Sequence, residues 1–461
     1  MQKLRLLILL AVTALVACTD SHDAWSPDPD RTQKNSIYAV SEETALAHLD
    51  AALEILYGDQ ANTRTTSAKP RIASIRPVNA KDFAGATRST STPDTETMLY
   101  VVAFESGAGS AILGADTRVE KIYAILDETV LTPEDFTTRI GAGSPDDAQD
   151  IVGFVTQAIV ADASYRIATA NGSSDNPADT ASGEISIGGD DGGIIRAPTY
   201  RHVELNVFRQ KPLTKTKWDQ GEPFNNNCPK NNQPEIDLER CPAGCAAIAV
   251  AQLLSYHQTG ETITIAGTSY SWDLLNEFNY GIDTQTNKAT DEIARFIHAI
   301  GVRLNTHYAP TGSSASPSSV PGVLNELGLR NAKVIAYDFK TGRNMVCSEK
   351  KPFYMRGEPA SGNNGHAWIV DGWNEYTTQC WETTYGPNGK INPERLIEET
   401  YYCLVHCNYG WSGVCDGYYS SGAFDTTKAL PTNRIDSSIG DRIWCKDNNY
   451  TVQLQMITYD K

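Results

Sequence analysis

Apolar residues along the chain change their spacing several times, and each change predicts an element. Across 39–56, Ala45, Leu49, Ala52, Leu53 and Leu56 recur at three- and four-residue steps, the period of a helix with one buried face. Ser41 stands at the N-cap position, with Glu42 and Glu43 placed to meet the positive end of the helix dipole. Residues 60–95 are rich in Thr, Ser, Ala and Arg without periodicity and read as loose chain. Three short apolar runs follow, at 99–104, 107–113 and 122–125, separated by Gly and charged turns, and these read as strands. Helix and strands together make a small α+β unit. Residues 140–197 mix Gly, Ser, Asp and Ala around one helical patch at 151–161, and 171–193 reads as an exposed linker open to proteolysis.

Beyond Arg196 the texture changes: Trp, Tyr, Gly, Pro and Cys become dense, and 198–461 reads as one α+β domain. Residues 244–258 carry Ala, Ile, Val and Leu on most faces, which predicts a buried helix, and 291–300 predicts a second. The C-terminal half predicts antiparallel strands at 367–370, 401–405, 417–419 and 451–457. No internal repeat is visible.

With 461 residues, 40% hydrophobic, eight Trp and 21 Tyr, the chain can bury a core, so wholesale disorder is excluded. Lys and Arg total 39 against 56 Asp and Glu, a formal net charge of −17. That sign argues against non-specific nucleic-acid binding and against a polybasic grip on anionic lipid. The acidity is uneven: residues 1–197 hold 15 basic and 28 acidic residues, whereas 198–461 hold 24 and 28.

The first residues read as an export signal. Lys3 and Arg5 precede an apolar stretch over 6–17 that is too short for a comfortable membrane span. Its end, Leu15-Val16-Ala17-Cys18, resembles the lipobox of bacterial lipoproteins, which implies cleavage before Cys18 and acylation of its thiol. More than one acyl chain holds a soluble domain stably at a membrane. The alternative is an ordinary signal peptide with a stray Cys. Asp20 and Asp23 resemble the surface-export signals of some Gram-negative lipoproteins.

Nine further cysteines, at 228, 241, 245, 347, 380, 403, 407, 415 and 445, all lie in the second part. An exported chain can keep disulfides, and an odd number leaves one thiol over. Cys403 and Cys407 around His406 suggest zinc, but the CxxC pairs of a closed zinc site are missing. Cys245 follows Gly244 and opens the apolar helix, where unpaired N–H groups and the helix dipole favour thiolate. A thiolate nucleophile needs an imidazole nearby. Of eight His, His257 lies too far along the same helix, and His298 reads as a helix-face residue. His307 and His406 are possible partners. His366 stands out, because a Gly-Asn loop leads into it and an apolar strand continues from it.

Four blocks occur in order: Trp218-Asp219-Gln220-x2-Pro223-Phe224-Asn225; Gly244-Cys245-x2-Ile248-Ala249-x-Ala251-Gln252-x3-Tyr256-His257; Gly365-His366-Ala367-x-Ile369-Val370-Asp371-Gly372; and Asn408-Tyr409-Gly410-Trp411-x-Gly413-x2-Asp416-Gly417-Tyr418-Tyr419. In this order they resemble the streptopain family of papain-like cysteine peptidases. The run from Tyr100 to Glu120 is similar to that family's inhibitory propeptide. The resemblance implies an α+β fold, a papain-like pairing of a helical part with an antiparallel sheet, preceded by a small α+β prodomain. It implies Cys245 as nucleophile, His366 as general base and acid, Asn408 as the residue that orients the imidazole through its amide or neighbouring backbone, and Gln220 as oxyanion donor. Ser314 and Gly365 become candidate contacts to the substrate backbone, and Trp411 a wall of the cleft. Tyr409 stands where the family usually has Trp, and the many cysteines are unusual for it. With Cys18 as anchor and Cys245 as nucleophile, eight remain, enough for four bridges.

The expected organisation is a lipoprotein signal at 1–17, a tether and inhibitory prodomain at 18–130, a linker with the activation site at 131–197, and a peptidase domain at 198–461. The expected product is an exported endopeptidase made as a zymogen, with peptide substrates, its own prodomain as inhibitor, and a membrane contact through Cys18. It would sit in the periplasm or on the cell surface, with the mature peptidase released. The family favours a hydrophobic P2 residue. No metal, organic cofactor or nucleic acid is expected. The competing reading is a catalytically silent surface lipoprotein that binds a protein ligand; a lesser one is another Cys–His acyl-transfer enzyme.

Overall fold

Antiparallel strands with both faces apolar organise the chain. A computed structural model describes residues 37–57, 69–79, 96–137, 151–171, 199–233, 236, 238–258, 260–277, 287–358, 365–386, 390–421 and 452–461. The expected signal at 1–17, Cys18, residues 138–150 and 172–197 of the expected linker, and Cys445 lie outside the described residues. Residues 36–461 form one compact unit.

In chain order the strands are β1 (Ile72–Asn79), β2 (Thr97–Phe104), β3 (Gly109–Gly114), β4 (Ile122–Asp127), β5 (Thr199–Gln210), β6 (Thr262–Ile265), β7 (Thr268–Ser271), β8 (Arg330–Ala336), β9 (Phe353–Glu358), β10 (His366–Thr383), β11 (Arg395–Asn408), β12 (Gly417–Ser420) and β13 (Val452–Asp460). The four long helices are α1 (Glu42–Tyr57), α2 (Ile151–Asn171), α3 (Cys245–His257) and α4 (Asn287–Arg303). One sheet runs β1-β2-β3-β4-β12-β11-β10-β9-β13-β8, with β5 on β10, while β6 and β7 form a hairpin of their own.

The strand pattern explains how both faces are covered. Side chains alternate along β2: Leu99 and Val101 join one core cluster, and Tyr100, Val102 and Phe104 join the other. The second cluster is closed by Ala45, Leu49, Ala52, Leu53 and Leu56, the helical stripe predicted for α1. The first cluster contains Phe154, Val155 and Ile159 of α2 together with most of α3. The predicted cap also forms, with the Thr44 N–H donating to Ser41 Oγ at 3.2 Å.

Three features depart from the expectation. Residues 72–79, read as loose chain, form β1, an edge strand with Pro77 in it, where a missing N–H costs no ladder bond. The helical patch read at 151–161 inside the expected linker extends through 151–171 as a 21-residue helix, and its Ile151, Phe154, Val155, Ile159 and Val160 are buried. The N-terminal unit is also not a separate body. Its β4 pairs with β12, matching Leu126 to Gly417 and Ile125 to Tyr418, so one hydrogen-bonded sheet crosses the expected domain boundary.

Side chains reinforce that junction. Arg209 of β5 donates to the Ile55 carbonyl at 2.9 Å and also to that of Leu56, satisfying orphan carbonyls at the end of α1. The Tyr402 hydroxyl meets His48 Nδ1 at 3.0 Å, and Lys217 pairs with Glu128 at 2.7 Å. Gly417 makes the pairing sterically possible, because a Cβ there would stand 2.4 Å from the Ile125 carbonyl oxygen. Gly417→Ala is therefore expected to strain this junction by about 1–3 kcal/mol. Limited proteolysis should show faster loss of the N-terminal unit; unchanged cleavage of both halves would refute this.

Candidate active site

Cys245 is the first residue of α3, and the backbone bends into that helix at Gly244, whose φ is 94°. This left-handed entry favours glycine. A Cβ on Gly244 would press on the Ser313 carbonyl oxygen at 3.3 Å. The half-buried thiol at this helix start lies within reach of the Ala367 and Ala246 N–H groups, and Arg356 adds positive potential. Ala367 follows His366 in β10, so the sheet brings the imidazole strand to the sulfur.

His366 is buried, and its Nε2 donates to the Tyr409 carbonyl at 3.1 Å. Since a carbonyl only accepts, Nε2 carries the proton in neutral imidazole and Nδ1 is left as the basic nitrogen. The ring is shielded by aromatics: Trp368 stacks at 6.2 Å and 11°, and Tyr409 at 5.9 Å and 29°. Trp368 was missed as a site residue, although its two-residue spacing from His366 on a strand puts both on one face. Phe154 of α2 meets the same imidazole edge-on at 5.3 Å, and contacts Trp368 at 6.0 Å and Tyr409 at 5.8 Å. That contact has no signal in sequence, since about two hundred residues separate the partners.

Asn408 ends β11 and does not touch the imidazole. Its Nδ2 donates to the Thr216 carbonyl at 2.7 Å, and its Oδ1 accepts from Gln252 Nε2 and the Gly410 N–H, each at 3.1 Å. Of the two routes left open for it, backbone and side chain, the geometry favours the neighbouring backbone. Asp416 steadies the adjoining 408–409 peptide by accepting the Tyr409 N–H at 2.8 Å. Gln220 is buried, its carbonyl accepts from the Ala243 N–H at 2.8 Å, and its Nε2 has no partner.

The remaining candidates fall around this centre. Trp411 is half-buried against the core and its indole N–H is likewise unpartnered. Gly365 immediately precedes His366 and is half-buried. Ser314 is exposed, and its backbone N–H and carbonyl are both paired with His307, at 3.0 and 2.8 Å, which leaves only its hydroxyl for a ligand. Its neighbour Ser313 is buried with an unpartnered hydroxyl beside Gly244. Two other histidines are engaged elsewhere: His257 bonds the Tyr459 hydroxyl at 2.8 Å, and His298 lies against Tyr308. His406 meets Asp371 at 2.6 Å through Nδ1 and Asp127 at 3.6 Å through Nε2, so neither nitrogen is turned toward a metal.

Four disulfides do not form. Cys228, Cys241, Cys347, Cys403 and Cys407 are thiols, as is Cys245. Five of the eight cysteines expected to pair are therefore reduced in this structure.

Residues 218–419 match the model of the Peptidase C10 family. That stretch, a little under half of the chain, is similar to the C10 cysteine peptidases, the streptopain type that the ordered blocks resemble. Streptopain of Streptococcus pyogenes serotype M28 (strain MGAS6180) is 22% identical over 244 residues, covering 45% of this chain and 54% of its own length. Streptopain of serotype M1 matches with the same 22% over 244 residues. The chain thus spans about half the length of the curated relatives it matches. A solved fragment of Prevotella intermedia prointerpain A is similar with a TM-score of 0.46 at 17% identity, covering 84% of this chain and 100% of that one. Active wild-type interpain A of the same organism gives 0.35 at 24%, covering 54% and 94%.

Electrostatics in the C10 region run against the thiolate expected at a helix start. Burial pushes the Cys245 thiol above its usual 9.0, and the surrounding N–H groups and Arg356 offset this only in part. Burial also lowers His366 from 6.5 to about 4, against the opposing Tyr409 hydrogen bond. Both shifts act in the same sense, favouring a neutral thiol beside a neutral imidazole in the uncut chain. Alkylation of Cys245 in the full chain by iodoacetamide should stay slow through neutral pH and accelerate only on the alkaline side of the ordinary thiol range. A fast plateau extending into acid would contradict this.

Proposed function

We propose that the chain is the precursor of an exported cysteine endopeptidase. The observation that carries this reading is the conjunction at the start of α3. A Cys245 sulfur is reached by the backbone of the His366 strand, and the neighbouring buried Gln220 amide has no partner of its own. A buried unpaired donor costs roughly 1–3 kcal/mol, which is tolerable where a ligand atom supplies the missing acceptor.

In the working enzyme His366 Nδ1 takes the Cys245 proton, and the thiolate attacks a peptide carbonyl carbon. Gln220 Nε2 and the Cys245 N–H receive the oxyanion. His366 then protonates the leaving amine, and water deprotonated by His366 releases the acyl group and regenerates the thiol. Tyr409 orients the imidazole through its carbonyl, and Asn408 and Asp416 hold that carbonyl in place. Trp411, Gly365 and Ser314 line the approach. A hydrophobic P2 preference follows the family.

The N-terminal unit acts as inhibitor, and Phe154 is its point of action. Its ring occupies the edge of the His366–Trp368–Tyr409 stack and dehydrates the imidazole, which opposes the thiolate–imidazolium pair that attack requires. Cleavage within 172–198 would free β5 as the new N-terminal strand and let α2 leave. Acylation at Cys18 would keep the precursor at a membrane until then. A silent ligand-binding lipoprotein remains the competing reading, but no contact favours it.

Phe154→Ala is expected to raise the alkylation rate of Cys245 in the uncut chain, about tenfold or more, because it rehydrates His366. An unchanged rate would remove Phe154 from the inhibitory role. After limited trypsin treatment the wild type should cleave internal peptide bonds. Gln220→Leu should then lose about 10²–10³-fold in kcat. A trypsin-treated wild type that neither cleaves peptides nor labels at Cys245 would favour the silent reading, and release of ammonia without internal cleavage would indicate an amidase.

A further inference from the structure

Gln252 belongs to none of the roles assigned above, yet it is completely buried in α3, seven residues and two turns beyond Cys245. Burying a primary amide completely is costly unless both its donor and its acceptor are used. They are. Gln252 Oε1 accepts the Trp218 N–H at 3.4 Å, and Nε2 donates to Asn408 Oδ1 at 3.1 Å.

What those partners do gives the arrangement its meaning. Trp218 lies two residues before Gln220, the unpaired donor. Asn408 precedes Tyr409, whose carbonyl holds His366. The two segments are also tied directly, by Asn408 Nδ2 to the Thr216 carbonyl at 2.7 Å and by the Ser412 N–H to the Trp218 carbonyl at 3.2 Å. Ser412 Oγ further donates to Asp219 Oδ2 at 2.7 Å. Gln252 is the member that adds the nucleophile's own helix to this brace.

We propose that Gln252 is a positioning residue for the peptidase reaction. One side-chain amide sets the relative placement of the Cys245 helix, the Gln220 segment and the Tyr409 carbonyl that orients His366. The inference rests on the peptidase reading, and it predicts that the Gln252 amide acts on turnover through geometry rather than through substrate binding. Displacement of an attacking group by about 1 Å can cost 10²-fold in rate.

The test uses the full chain activated by limited trypsin treatment, with an internally quenched peptide as substrate. Gln252→Met keeps the shape and removes both bonds. It should fold with an ordinary cooperative melt, lose about tenfold or more in kcat, and keep KM within about twofold. Gln252→Glu keeps the acceptor toward Trp218 but loses the donor when ionised. Its kcat should recover on acidification, as the protonated carboxyl again donates to Asn408, producing a pH limb that wild type lacks. The same limb should appear in the alkylation rate of Cys245, a readout independent of turnover. A folded Gln252→Met with wild-type kcat overturns the inference. If that variant does not fold, a Gln252→Glu enzyme whose pH profiles match wild type overturns it. Failure of the activated wild type itself to cleave the peptide is distinct, and overturns the peptidase reading on which the inference stands.

Discussion

Everything at the candidate site depends on the backbone ladder of β10. From Ile369 onward this strand is paired with β11, and its other edge is shared by β9 over His366–Val370 and by β5 from Trp373. A strand bonded on both edges cannot slide by one residue without turning every side chain to the opposite face. The register therefore decides that His366 and Trp368 face α3 together. It also sets Tyr409, just past the end of β11, against the imidazole. The helix that Cys245 opens is placed against this ladder by apolar packing, and the polar brace through Gln252 and Asn408 fills the remaining degrees of freedom.

Burial then sets the charge state. The same aromatic enclosure that aligns His366 removes its water, and an imidazole without water or a carboxylate partner prefers to be neutral. His406 shows the opposite outcome a few residues away. It is equally enclosed, yet Asp371 and Asp127 raise it to about 10, so it stays cationic through the neutral range. Its stabilising contribution is complete below the unfolded value near 6.5 and is lost only as pH rises through about 10. Asp371 thus serves His406 and not His366, although it follows His366 by five residues. Asp127 belongs to β4, so this cation also links the N-terminal strands to the C10 region.

Much of this was legible in the residues. The stripe from Ala45 to Leu56 and the Ser41 cap announced α1, because local periodicity and capping depend on neighbours a few positions away. The apolar run after Cys245 announced α3 for the same reason, with Gly244 immediately before it. Cys245 and His366 were singled out by residue type and flanking pattern, and the four ordered blocks pointed to the streptopain family. Less was legible at 72–79, where Pro77 and alternating polar residues hide an edge strand. At 151–171 the helical patch was legible only as far as 161, and its place inside a Gly- and Ser-rich stretch gave no sign that it packs into the core.

By itself the sequence determined the most periodic elements, α1, α3 and the cores of several strands, which thiol opens a helix, and which histidine opens a buried strand, since these follow from short-range sterics and hydrophobic period. Only the tertiary structure decided that β4 joins β12 in one sheet, that Phe154 rests against His366, and that Gln252 reaches Trp218 and Asn408. It also decided that burial biases Cys245 and His366 toward their neutral forms, against the helix-start expectation. The physical reason is the same in each case: strand partnering, burial and desolvation are properties of what packs around a group, and those neighbours come from distant parts of the chain.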